Sequence, residues 1–189
     1  MYIDNEFIYG AGIILEFAIL GFLMQKDMHG YELKKCISML TGHYKPLSDG
    51  ALYPAIKRLV NRGMIEERME KGKAGAPRKI LELTENGHER FLERLRHPGE
   101  TDISDRNRLF TFMAFFSYLS TLEQISILER RVSFIDGGKS FFTDESGNPV
   151  KIREEEDIFR RGMLKIARET NIAEKKWLLD TISELKNLT

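Results

Sequence analysis

Lys57, Arg58 and Asn61 lie close together in the stretch SDGALYPAIKRLVNRGMIEER, Ser48 to Arg68. Their side chains are of the types that read base edges in a DNA major groove, where Arg or Lys pairs with guanine and Asn with adenine. At about 100° per residue, Gly50, Pro54, Lys57, Arg58 and Asn61 share one side of a helix, with Tyr53 on its flank. Leu52, Ile56, Leu59, Val60 and Gly63 take the opposite, buried side. The outward face is small at its start and basic or amide-bearing further along. A small start lets a backbone approach another macromolecule, and in a major groove the first turn of a helix lies nearest the bases. Any exposed helix carries some Lys and Arg, so the surroundings decide. From Ser48 to Lys79 there are eight basic and four acidic residues, a local excess of +4 on a chain with 29 of each sign. Lys71, Lys73, Arg78 and Lys79 flank the small-residue stretch around KGKAGA, suited to phosphates or the minor groove. This pattern points to contact with a nucleic acid.

The same helix carries a proline, which inside a helix costs about 3 kcal/mol. With Ser48 as N-cap, Pro54 leaves the Gly50 carbonyl without its helical donor. With Gly50 as N-cap nothing is lost. The sequence leaves both open.

The elements that must hold this helix follow from periodicity. Leu15, Ala18, Ile19, Phe22 and Leu23 predict a first helix from Gly12 to Gln25, and KDMHG reads as a turn. Leu33, Ile37 and Leu40 carry a second helix, YELKKCISML. Gly63 stops the third. MIEERME and PRKILELT read as a β-hairpin, and Thr84 caps a fourth helix, ENGHERFLERLRH. HPGETD is expected to be a linker. Beyond it, RLFTFMAFFSYL (Arg108 to Leu119) is aromatic on nearly every side and is expected to be a buried helix. STLE is a capping box for the next helix, GGKSFFTDESGNPV is a turn-rich loop, and a long helical stretch from Arg153 runs to the end.

Other functions find little support. The longest apolar run, Ala11 to Met24, is shorter than a membrane span needs and contains Glu16. The N-terminus lacks a basic n-region, so a cytoplasmic location without membrane contact is expected. The single cysteine, Cys36, excludes an internal disulfide and reads as a buried thiol. His29, His43, His88 and His97 form no pair at metal-ligand spacing, and no GxSxG, P-loop or GxGxxG occurs. Glu154 to Asp157 reads as a solvated helix start, where acids favour the dipole. No enzyme, cofactor or metal is expected. The alternative function is a winged-helix protein-interaction module without DNA binding, which acidic or apolar replacements at Lys57, Arg58 and the hairpin bases would favour.

LEFAILGFL (Leu15–Leu23), HGYEL (His29–Leu33), SDGALYPAIKRLVNRGMI (Ser48–Ile65) and GAPRKILELTENG (Gly75–Gly87) resemble the PadR family of bacterial transcriptional regulators. The resemblance covers most of the first 95 residues. It implies a mainly α fold with a small β-hairpin. Residues 1–98 would be a winged helix-turn-helix DNA-binding domain, and residues 99–189 a helical dimerisation domain. It further implies a homodimer that represses at a palindromic operator of double-stranded DNA, often releasing it on binding a small molecule. Ser48 to Arg62 corresponds to the recognition helix and Arg68 to Lys79 to the wing, with Tyr53, Lys57 and Arg58 at DNA-facing positions. The sequence departs from the family at Ala51, commonly Thr, at the loop GGKSFFTDESGNPV, and in the extension MYIDNEFIYG. Phe112, Phe116, Phe159, Met163, Ile166 and Trp177 are the expected dimerisation residues. Phe110, Phe112, Phe115, Phe116 and Trp177 could instead line a pocket between the domains for a small aromatic or hydrophobic effector. Such stripes are more often core or interface.

Overall fold

The computed structural model describes residues 5–40, 47–71, 77–137, 148 and 150–188. They form two compact units, one ending at Leu119 and one beginning at Ser120. The architecture is mainly helical with one small antiparallel sheet.

In the first unit, α1 (Asn5–Leu23) buries Phe17, Ala18, Ile19, Leu20 and Leu23. It begins at Asn5, so part of the N-terminal extension continues the expected helix. A two-residue strand, β1 (Met28–His29), replaces the expected turn, and α2 (Gly30–Leu40) follows. Then come α3 (Asp49–Asn61), the hairpin strands β2 (Ile65–Lys71) and β3 (Pro77–Leu83), and α4 (Glu85–Arg96). The strand order is β1-β3-β2, all antiparallel, with Met28 opposite Leu81 and Glu67 opposite Leu81 on the other side. β1 is too short to show an alternating pattern in the sequence, and pairing with β3 alone defines it. Cys36, expected to be buried, is only half-buried.

HPGETD is not a linker. Glu100–Ser104 forms α5, and Asp102 is 1% exposed. Its carboxylate accepts from Arg94 of α4, from the Gly99 amide at 3.0 Å and from Arg108 at 3.1 Å. A buried carboxylate needs such partners, and meeting them folds the segment into a corner.

The aromatic stretch is not one helix. It divides into α6 (Arg106–Met113) and a 3₁₀ turn, Phe116–Tyr118. The Phe112 ring stacks on Phe17 at 4.1 Å, and Phe115 meets Phe17 and Phe91 edge-on at 5.8 and 5.5 Å. The division of the chain therefore falls after Leu119, where the sequence placed it after residue 98. Phe112 is fully covered by its own unit and offers no surface to a partner, a correction to its expected dimerisation role. Phe115 is likewise buried, whereas Phe110 is half exposed and Phe116 partly so.

The second unit pairs α7 (Thr121–Asp136) with α8 (Ile158–Asn187). Ser120 and Glu123 form the expected capping box. Ile125, Leu128, Leu164, Leu178 and Ile182 are buried, and Arg131 donates to Glu174 through Nε at 2.7 Å and Nη2 at 3.1 Å. Glu129–Lys186 and Asp136–Lys175 ion pairs at 2.9 and 2.5 Å set the helices antiparallel. Asp157 caps α8, while Glu155 is buried and receives Arg160, so the acidic run is only partly solvated. The loop read as GGKSFFTDESGNPV lies mostly outside the described residues.

Truncating Phe112 to Ala should lower the stability of the first unit by about 3–5 kcal/mol in a denaturant titration, the range for a buried aromatic. Light scattering should show the oligomeric state unchanged. An altered oligomer with stability intact would return Phe112 to an interface.

Candidate nucleic-acid interface

The start of α3 is settled by Ser48, whose Oγ accepts from the Ala51 amide at 3.2 Å. Ser48 is the N-cap, so Pro54 lies inside the helix. The Gly50 carbonyl then lacks a helical donor, and its exposure lets water serve. At the other end Gly63 adopts φ +66°. Its amide donates to Val60 at 2.9 Å and that of Met64 to Leu59 at 2.9 Å, the paired bonds that close a helix on a left-handed glycine.

The corner after α3 is held by α4. Thr84 donates through Oγ1 to the Gly63 carbonyl at 2.7 Å and through its amide to Met64 at 3.1 Å. Gly87 lies so close to the Met64 carbonyl that a Cβ would overlap it. From the other side Lys34 of α2 reaches Asp49 at 2.7 Å. These contacts set the direction of α3 relative to the hairpin.

Leu52, Ala55, Ile56 and Leu59 form the buried face. Val60 is only half-buried and Gly63 is exposed, so the buried stripe is turned toward Ala55 from where periodicity put it. Opposite it, Gly50, Tyr53, Pro54, Lys57, Arg58 and Asn61 are all exposed. Around Gly50 a Cβ would meet only Ser48 Oγ at 3.9 Å, so smallness there is not forced by packing within the chain. Among the described residues the side chains of Lys57 and Asn61 have no hydrogen-bond or ion-pair partner.

Arg58 differs from its sequence expectation as an uncommitted donor. Its Nε donates to Glu16 of α1 at 2.6 Å, and Arg62 donates through Nη1 to the second oxygen of Glu16 at 2.8 Å. Sequence reasoning had Glu16 only as an interruption of an apolar run. The signal available was its helical neighbourhood with Phe17, but the partner helix lies more than forty residues away.

On the hairpin, Arg68 pairs with Glu82, whose hydrogen bond and charge raise the guanidinium pKa above its ordinary value. Lys79 reaches Glu67 at 2.6 Å. Arg78 is exposed and makes no ion pair among the described residues. Lys71 pairs its backbone with Pro77 at the end of the ladder, and Lys73 falls outside the described residues. An open cleft lined by His29, Tyr31, Tyr53, Arg78 and Lys79 joins the start of α3 to β3. The His29 ring lies 2.8 Å from the Lys79 carbonyl and so ties the strand to the start of α2. No group of three His, Cys, Asp or Glu among the described residues could hold a metal ion, and no described helix is long and apolar enough to cross a membrane.

A small, base-compatible helix start beside a basic hairpin is the arrangement of a winged helix-turn-helix. Residues 19–93 match the model of the transcriptional regulator PadR-like family. Over these residues the chain is similar to the PadR-like family. A curated relative, the transcriptional regulator YqjI of Escherichia coli K12, is 40% identical over 87 residues, covering 46% of this chain and 39% of its own. The chain thus spans about two-fifths of the length of the curated relatives it matches. Among solved structures, Bacillus subtilis PadR with operator DNA shows 20% identity and a TM-score of 0.44, covering 91% of this chain and 97% of that one. The same protein with p-coumaric acid shows 19% identity and a TM-score of 0.41, covering 93% and 97%.

Proposed function

We propose that this PadR-like chain is a sequence-specific DNA-binding regulator, a cytoplasmic homodimer that represses at a palindromic operator. The observation that carries the reading is the outer face of α3. It is small at Gly50 and Pro54, presents unpartnered Lys57 and Asn61, and runs beside exposed Arg78 on β3. In this reading the start of α3 enters the major groove, with Ser48, Gly50, Tyr53 and Pro54 close to the backbone or bases. Lys57 and Asn61 reach base edges, while Lys71, Lys73, Arg78 and Lys79 meet phosphates. A protein-interaction module would have little use for uncompensated cations on this face.

Dimerisation is proposed for α8. Phe159, Met163, Ile166 and Trp177 fall within about 60° of one another around its axis. All four are exposed, from 46% to 75%, beside the face that α7 covers. A 30-residue helix with such a stripe fits pairing with a second copy. Release of DNA by a small aromatic or hydrophobic effector belongs to the same proposal and rests on the family alone.

Arg78→Ala should weaken binding to a mixed-sequence duplex and lower the slope of log K against log salt by about 1, as for one lost phosphate contact. Lys57→Ala, which removes a contact to a base edge, should instead relax sequence preference at about 1–3 kcal/mol. Fluorescence anisotropy across a salt series distinguishes these, and binding without any salt dependence would contradict the reading. Trp177→Glu should loosen the dimer in light scattering, because an unpaired carboxylate is costly to bury. An unchanged dimer would place the interface elsewhere.

A further inference from the structure

We infer that Glu16 is a specificity-determining residue, which neutralises part of the recognition helix's charge and holds two arginines in fixed directions. The inference rests on the DNA-binding reading above. Glu16 belongs to α1, outside the helix, hairpin and cleft that would face DNA. Its side chain is 13% exposed and bonds both guanidiniums, one through each oxygen, while Arg58 and Arg62 are 45% and 54% exposed. The carboxylate therefore lies on the protein side of the trio and the cations on the solvent side.

Two consequences follow from this geometry. The trio carries +1 rather than +2, so a passing phosphate meets less attraction on the face that would enter the groove. Non-specific binding is almost wholly such attraction, whereas specific binding also needs oriented donors. A phosphate cannot easily strip the arginines away, because a largely covered carboxylate would lose its partners. Each guanidinium has five N–H donors, and only one on each is used here, so the rest remain available in directions the pair fixes. Glu16 thus trades general affinity for a larger ratio of operator to non-specific binding.

The test compares a mixed-sequence duplex with the duplex that the wild-type protein enriches from a random-sequence library. Glu16→Gln keeps length and an acceptor oxygen and removes the charge. It should raise affinity for the mixed duplex roughly three- to tenfold near 0.1 M salt, with a slope steeper by about 1. Affinity for the enriched duplex should rise less or fall, so the ratio drops. Glu16→Met, a helix-forming apolar replacement, should do the same and serves if the glutamine variant folds poorly. A purely structural role for Glu16 would lower stability without steepening the slope. An unchanged ratio, whether both affinities shift equally or neither does, would overturn the inference. Lys57→Ala run in parallel separates the two levels. If it weakens binding while the Glu16 variants leave the ratio unchanged, only the role of Glu16 fails. If wild type enriches no duplex from the library and does not bind the mixed one, the DNA-binding reading fails and this inference with it.

Discussion

The first unit depends on the packing of Phe17. Its ring stacks on Phe91 of α4 at 5.1 Å and on Phe112 of α6 at 4.1 Å, fixing α1 against two helices from later in the chain. Stacked and edge-on aromatic contacts contribute about 0.5–1.5 kcal/mol each beyond the area they bury. The position of α1 in turn governs α3, because the residue before Phe17 is Glu16, which holds Arg58 and Arg62. One helix therefore turns an aromatic anchor toward the core and a carboxylate toward α3. Movement of the anchor would move the charge.

The compromise within α3 has the same origin. Under the proposed contact with DNA, α3 must be stable, yet its best helix-forming substitutions would add bulk where the backbone should come close. Gly50 and Pro54 both lower helix propensity, and the chain offsets them at the ends. Ser48 caps the start and Gly63 closes the finish with two backbone bonds. Thr84 and Gly87 of α4 then seat the corner against the rest of the unit. Stability comes from the termini and the buried face, which leaves the outer face free for contact.

Much of this was legible in the sequence, and the exceptions share a cause. The helices around Leu33, Leu52 and Phe91 announce themselves through local periodicity, as do the caps at Ser48, Thr84 and Ser120. The Gly-x-Leu-Tyr-Pro core and the basic hairpin marked the face proposed to meet DNA. What could not be read depended on partners distant in sequence. Strand β1 exists only through β3, and the corner at Asp102 only through Arg94 and Arg108. Arg58 reads as an uncommitted cation until Glu16 is placed beside it. The aromatic stretch misled for a related reason. Periodicity shows that Phe112 is buried but not by what, and its own unit supplies the cover that a second protomer was expected to give.

The central claim is that the start of α3 packs against DNA, and Gly50→Leu tests it most directly through operator affinity measured beside fold stability. Leucine is a better helix former than glycine by about 0.8 kcal/mol, and the space around Gly50 admits a Cβ. The denaturant midpoint should hold or rise while affinity for the enriched duplex falls by about tenfold or more, as added bulk lifts the helix from the groove. Unchanged affinity at unchanged stability would contradict the account, since α3 would then not approach DNA through this face.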